Sequence, residues 1–188
     1  MPLSNGLVLY HGSYTEVPHP DLSKCARFKD FGQGFYLTTS HAQAVSFARL
    51  SARKAADRLV EGADGRKGFV SRFELAGAGV EDLRLLEFEG AGSDWLRCVV
   101  AHRRRGSFPD LVDRLRSYDV IAGKIANDRT NITLTLYMDG IFGEVGSAEA
   151  ERACIGQLLP NRLKDQYCFR SERALECLRF MGSEVVWM

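Results

Sequence analysis

An α+β domain is what this sequence predicts, and three observations carry that expectation. Short β-rich apolar runs and amphipathic helical stretches are interspersed along the chain, without the regular β-α alternation of a doubly wound parallel sheet. No internal repeat, low-complexity tract or linker interrupts the 188 residues, a length that fits one domain over 1–188. With 45% hydrophobic residues and a net charge of +1, the chain can bury a core and does not read as a disordered segment.

The elements follow in order. Leu7 to Tyr10 is a short apolar strand ending in His11-Gly12-Ser13. A loop with Pro18 and Pro20 leads to Phe31–Thr38, where two glycines precede a second short strand. Ser40 begins a helix: Ser40 and Gln43 have capping-box spacing, and Ala44, Val45, Ala48 and Ala52 form an apolar stripe toward about Leu59. Phe69, Ser71, Phe73 and Leu75 alternate with Val70, Arg72 and Glu74 as in a strand, and Leu83 to Phe88 predicts another.

Ser93-Asp94 caps a helix carrying Trp95, Leu96, Val99 and Val100; Arg103, Arg104 and Arg105 then suit the negative end of its dipole. Asp110 to Tyr118 reads as a short helix and Asp119 to Gly123 as a strand. Thr130 to Tyr137 fits both periods, alternation of Ile132, Leu134 and Leu136 against caps at Asp128 and Gly140; the caps favour helix. Ser147 to Leu158 is a helix ended by Pro160, Gln166 to Phe169 a strand, Ser171 to Arg179 a helix and Glu184 to Met188 a last strand. Phe180, Met181, Trp187 and Met188 are expected in the core.

Composition bounds the function. Lys+Arg number 25 against 24 Asp+Glu, so the basic excess of a nucleic-acid-coating protein is missing and any such contact is local. The five cysteines include no C-x-x-C pair and read as reduced, mostly buried thiols rather than zinc ligands. Met1 to Gly6 shows no basic stretch before an apolar run, and no stretch nears the ~18 apolar residues of a spanning helix, so a cytoplasmic protein without a membrane partner is expected.

Taken singly, the polar sites are plain. Gly32 and Gly34 form neither a dinucleotide fingerprint nor a P-loop, because a strand follows rather than a helix or a Lys-Ser/Thr pair. No G-x-S-x-G elbow, H-E-x-x-H helix or paired carboxylates are visible. Their order is what carries information. Tyr10-His11-Gly12-Ser13, a proline-containing loop, then Asp30-Phe31-Gly32-Gln33-Gly34-Phe35-Tyr36-Leu37-Thr38 leading into an alanine-rich helix resembles the NAD-binding half of ADP-ribosyltransferases. Asp119–Gly123, Ala126–Arg129 and Asp165–Phe169 are similar too, so the resemblance spans nearly the whole chain. It lies with the His-Tyr-Glu branch, which includes diphtheria toxin and the poly-ADP-ribose polymerases, and more narrowly with a bacterial group of ADP-ribosyltransferase-like proteins.

That resemblance implies a split β-sheet with surrounding helices and NAD as co-substrate. His11 would bond a ribose hydroxyl, the Gly12 backbone the nicotinamide carboxamide, and Tyr36 would stack on the nicotinamide ring. Ser13, Asp30, Gly32 and Gly34 would line the same cleft; Arg129 would touch a pyrophosphate oxygen or the acceptor, or else Asp128 caps a helix with Arg129 on its surface. The branch's third position, usually Glu, is Gln166, which can orient a ribose hydroxyl but brings no charge and no base. Asp165 is adjacent but on the other strand face, and Asp128 and Glu144 are candidate carboxylates from elsewhere. Catalytic roles thus fall to His11, Tyr36 and Gln166, with no metal. The implied activity is transfer of a single ADP-ribose to a protein or nucleic acid, as a toxin facing a cognate antitoxin or in a defence system. The alternative is a catalytically silent module that binds NAD, ADP-ribose or a partner protein.

Overall fold

The computed structural model describes residues 3–125, 128–158 (128 and 129 by backbone only) and 165–188. Its elements run β1 (Val8–Ser13), β2 (Phe35–Leu37), α1 (His41–Asp57), β3 (Lys67–Leu75), β4 (Leu85–Glu87), α2 (Ser93–Arg103), α3 (Pro109–Leu115), β5 (Val120–Lys124), α4 (Asp128–Met138), α5 (Ala148–Gln157), β6 (Asp165–Phe169), α6 (Glu172–Glu176) and β7 (Leu178–Trp187). The class is α+β. Strands form two sheets, ordered β1-β3-β7 and β2-β6-β5-β4, with β4–β5 the parallel pair. Between the sheets stands one bridge, in which Tyr10 and Thr38 exchange both backbone hydrogen bonds, at 2.8 and 3.0 Å.

Small residues set the packing of α1 on the first sheet. Ala44, Ala48, Ala52 and Ala55 are buried along one face of the helix. Opposite them, Gly12 and Gly68 present no side chain: a Cβ would stand 2.0 Å from the Ala44 carbonyl oxygen at Gly12 and 2.5 Å from that of Ala48 at Gly68. The cap of α1 is half of the expected box. Ser40 Oγ accepts from the Gln43 N–H, but the Gln43 side chain does not return to Ser40.

The second sheet carries apolar bodies on both faces. Ile121 and Cys168 pack with Phe31, Trp95, Leu96 and Leu134 on one, while Val120, Ala122, Tyr167 and Phe169 meet Leu9, Phe35 and Phe73 on the other. At the start of β5, Asp119 ties three segments together. It accepts from the Arg84 N–H at 2.8 Å, from Ser171 Oγ at 2.7 Å and from the Arg173 guanidinium. Burial pushes its carboxyl up, but these donors outweigh burial and hold it at about 2.

The Thr130–Tyr137 stretch is helical, since Thr130, Leu134 and Tyr137 are buried at helical spacing while Ile132 and Leu136 are exposed. Four expectations are corrected. Helix α2 has Gly92, not Ser93 or Asp94, at its N-cap, with no side-chain cap bond. Helix α6 stops at Glu176, and β7 begins as early as Leu178. Met181, Trp187 and Met188 are exposed rather than core, Trp187 by 64%, because β7 is an edge strand with no layer over its outer face among the described residues. Arg103 serves more than the helix dipole, as shown below. Pro160 lies outside the described residues. Among the described residues, no helix is long and apolar enough to cross a membrane.

Candidate active site

Past the Tyr10–Thr38 bridge, β1 and β2 part. Continued pairing would set Gly12 against Tyr36, yet no ladder forms there. Instead His11 Nδ1 donates to the Tyr36 carbonyl oxygen at 2.8 Å, and the His11 ring lies against Phe35 with centroids 4.4 Å apart. Because Nδ1 holds the proton, Nε2 is left as an acceptor. By strand alternation, the Gly12 N–H and C=O point to the same side of β1 as those of Tyr10, into the gap. The Cα face of Gly12 belongs to α1, so the glycine is required for helix packing, and its peptide edge is what remains for a ligand.

On β2, β6 and the loop before β2, Tyr36 meets Gly32 and Gln166 meets Asp30. The Tyr36 hydroxyl accepts from the Phe31 N–H at 2.9 Å and donates to the Gly32 carbonyl at 2.8 Å, pinning the loop before β2. Burial, reinforced by Cys168, pushes that hydroxyl well above the usual range and keeps it a donor. Asp30, 8% exposed, accepts from Arg103 Nε at 3.0 Å on Oδ1 and from Gln166 Nε2 at 3.0 Å on Oδ2. Gln166 is 6% exposed and sits opposite Gly123, whose lack of a side chain faces Phe31 and Phe88. Asp165 bonds Lys124 Nζ at 2.8 Å and takes no part in the Asp30 contact.

The two glycines of the loop are filled, not open. Gly32 has φ +83 and a Cβ there would stand 2.5 Å from the His102 ring, and one at Gly34 would stand 2.5 Å from Cys168 Sγ. They let the loop pack closely onto α2 and β6. Ser13 is buried at the end of β1. The side chains of Asp128 and Arg129 lie outside the described residues. Glu144 is exposed and borders a separate surface cavity of about 590 Å³ with Arg104, Arg105, Phe108, Met138 and Asp139.

Two participants escape the sequence reading. The helix dipole accounts for Arg103 in the sequence, yet its guanidinium holds Asp30. Capping-box spacing accounts for Gln43 in the sequence, yet the residue is 8% exposed, and both amide atoms are buried without a hydrogen-bond partner. Gln43, Phe47 and Ser51 share one flank of α1, and Ser51 Oγ accepts from the Tyr14 N–H just beyond β1 at 3.1 Å. That flank therefore runs along the open edge of β1.

The match to known families takes in all of this. The chain belongs to the DUF3990 family, described as a protein of unknown function, whose model covers residues 7–180. No curated protein matches the chain. The DUF3990 span includes both strands that part at the gap, the Asp30 loop, Arg103 and Gln166.

Two histidines of this DUF3990 chain give the site a pH signature. Burial lowers His11, against a smaller opposing effect of the Tyr36 carbonyl. Burial also lowers His102, whose Nδ1 donates to the Cys98 carbonyl at 2.9 Å. Both fold with values below 6.5, so the unfolded chain binds more protons there, and stability falls as pH drops below 6.5. Each contributes up to about 1.4 kcal/mol per pH unit. Urea unfolding at pH 7.5, 6.5 and 5.5 is expected to show the decline, with His102→Gln flattening it; a level wild-type curve refutes the assignment.

Proposed function

We propose that this protein is an NAD-dependent ADP-ribosyltransferase that moves a single ADP-ribose to a macromolecular acceptor. The two sheets joined at Tyr10–Thr38 are taken as the split sheet of that superfamily. The observation that carries the reading is the open edge of β1 at Gly12, flanked by an acceptor nitrogen on His11, in a fold that also joins Asp30 to Gln166 on β6. The residues fit the dinucleotide on an independent count: the buried, unpartnered Gln43 amide runs beside that edge and offers N–H donors and a carbonyl acceptor, complementary to a carboxamide.

NAD, when bound, would supply the electrophile: its ribose carbon would exchange the bond to nicotinamide, which leaves with the bonding electron pair, for a bond to the acceptor's nucleophile, whose proton passes to solvent. The protein's own work is placement. His11 Nε2 accepts a hydrogen bond from a ribose hydroxyl, the Gly12 peptide edge and Gln43 hold the carboxamide, and Gln166 Oε1 accepts from a second hydroxyl. The buried thiols and tyrosines stay protonated, so none competes as a nucleophile; burial pushes the Cys168 thiol up to about 12.

Nicotinamide release by the purified protein, with and without cell lysate, tests this beside His11→Ala and Gln166→Ala. Wild-type release is expected to rise with lysate, and each substitution to lower it by about a hundredfold. Absence of both release and NAD binding by calorimetry removes the proposal. Binding without release supports the second reading, a silent NAD-binding module, which the uncharged Gln166 favours.

A further inference from the structure

The contact between Gln166 and Asp30 has a direction that hydrogen bonding fixes. Gln166 Nε2 lies 3.0 Å from Asp30 Oδ2 and 3.5 Å from the Lys124 carbonyl oxygen. Both neighbours are acceptors, so the amide nitrogen must face them and Oε1 is turned the other way. The far oxygen of Asp30 is gripped by the Arg103 guanidinium, Nε at 3.0 Å, which stops the carboxylate from swinging out of line. The Lys124 carbonyl is itself pinned, accepting from Trp95 Nε1 at 3.0 Å.

We propose that Asp30 is the positioning residue for Gln166: it holds the amide with its carbonyl oxygen toward the cleft, as the acceptor for a ligand hydroxyl. This rests on the cleft being the NAD site. A glutamine free to turn presents N–H as readily as C=O, and an N–H facing a hydroxyl-rich, positively charged centre is the wrong polarity. Donation from Nε2 to a carboxylate removes that ambiguity and polarises the amide, strengthening Oε1 as an acceptor. The usual glutamate is thereby replaced by a carboxylate one hydrogen bond further back.

The substitution that exposes this is Asp30→Asn. Arg103 has only donors, so it claims the new amide oxygen and leaves the amide nitrogen facing Gln166. Gln166 then turns over and shows N–H to the cleft. In the double variant Asp30→Asn/Gln166→Glu, the amide at position 30 donates to a carboxylate at position 166, whose second oxygen again faces the cleft.

Two measurements decide. The Gln166 side-chain amide, assigned in the nitrogen-proton spectrum by its loss in Gln166→Glu, is expected to exchange slowly in the wild type and about tenfold faster in Asp30→Asn. NAD affinity by calorimetry is expected to fall about tenfold in Asp30→Asn and to return within about threefold in the double variant. Unchanged amide exchange in Asp30→Asn overturns the proposal. So does a double variant that melts normally yet binds NAD no better than Asp30→Asn. Should the wild type bind no NAD while the amide still loosens in Asp30→Asn, the NAD reading fails and the positioning of Gln166 by Asp30 stands.

Discussion

Gly12→Ala is expected to cost about 3 kcal/mol of stability, a fall in melting temperature of roughly 10 °C for a chain of this size. The added Cβ would stand 2.0 Å from the Ala44 carbonyl oxygen and 2.7 Å from the Ala48 nitrogen. Both are backbone atoms of an intact helix, so no side chain can turn aside to make room. Relief requires α1 to lift from β1, which uncovers the alanine stripe and Val70. Gly156→Ala is the matched control, for nothing lies within 4 Å of its Cβ position in α5, and it is expected to leave stability unchanged or raise it by a few tenths of a kcal/mol. Thermal melts of both variants without any ligand check this. Equal melting temperatures would mean that α1 does not approach β1 as closely as described.

The same substitution separates packing from binding. The resemblance gives the Gly12 backbone to a ligand, and in the fold the space at its bare Cα is filled by a helix. A destabilised apo protein is therefore the outcome whether or not NAD binds. Binding experiments on Gly12 variants have no meaning until that loss is subtracted, which is why His11 and Gln166 are the better probes of function.

What could be read from the chain depended on how local the cause was. Helix α1 was legible because its cap, its alanine spacing and its length are all written within one segment. Of β7 only the stretch from Glu184 was legible, because Gly182 and Ser183 break the apolar pattern before it. The strand bulges at Met181, between the Arg72–Gly182 and Phe73–Phe180 pairs, and its edge position needs no buried outer face. The candidate site divides the same way. His11, Tyr36 and Gln166 stand in motifs, so their order was visible. Arg103 reaches Asp30 across 73 positions and Gln166 reaches it across 136, and no periodicity records a contact of that span. Gln43 was hidden differently: its capping-box spacing offered a sufficient local explanation that the side chain does not fulfil.

Arg97→Met is expected to destabilise the fold by about 3–5 kcal/mol, while Arg97→Met/Glu151→Met recovers most of that loss. Arg97 on α2 binds Glu151 on α5 through two bonds, Nε to Oε1 at 2.5 Å and Nη2 to Oε2 at 3.0 Å. The Glu151 side chain is 3% exposed, whereas the arginine side chain is 41% exposed. The two ends of the pair are therefore unequal. Without Glu151, Arg97 can turn to water; without Arg97, a charge is stranded beside Tyr137 in a site that water does not reach. Glu151→Met alone should accordingly cost less than Arg97→Met alone, and urea unfolding of the four proteins closes the cycle. If both single variants lose the same amount, the burial asymmetry does not govern the pair. A loss at Arg97 also has a route to the site, because the same helix ends at Arg103 and holds Asp30 there. A loosened α2–α5 contact is then expected to weaken the hold on Asp30, and Gln166 amide exchange in Arg97→Met reads that directly.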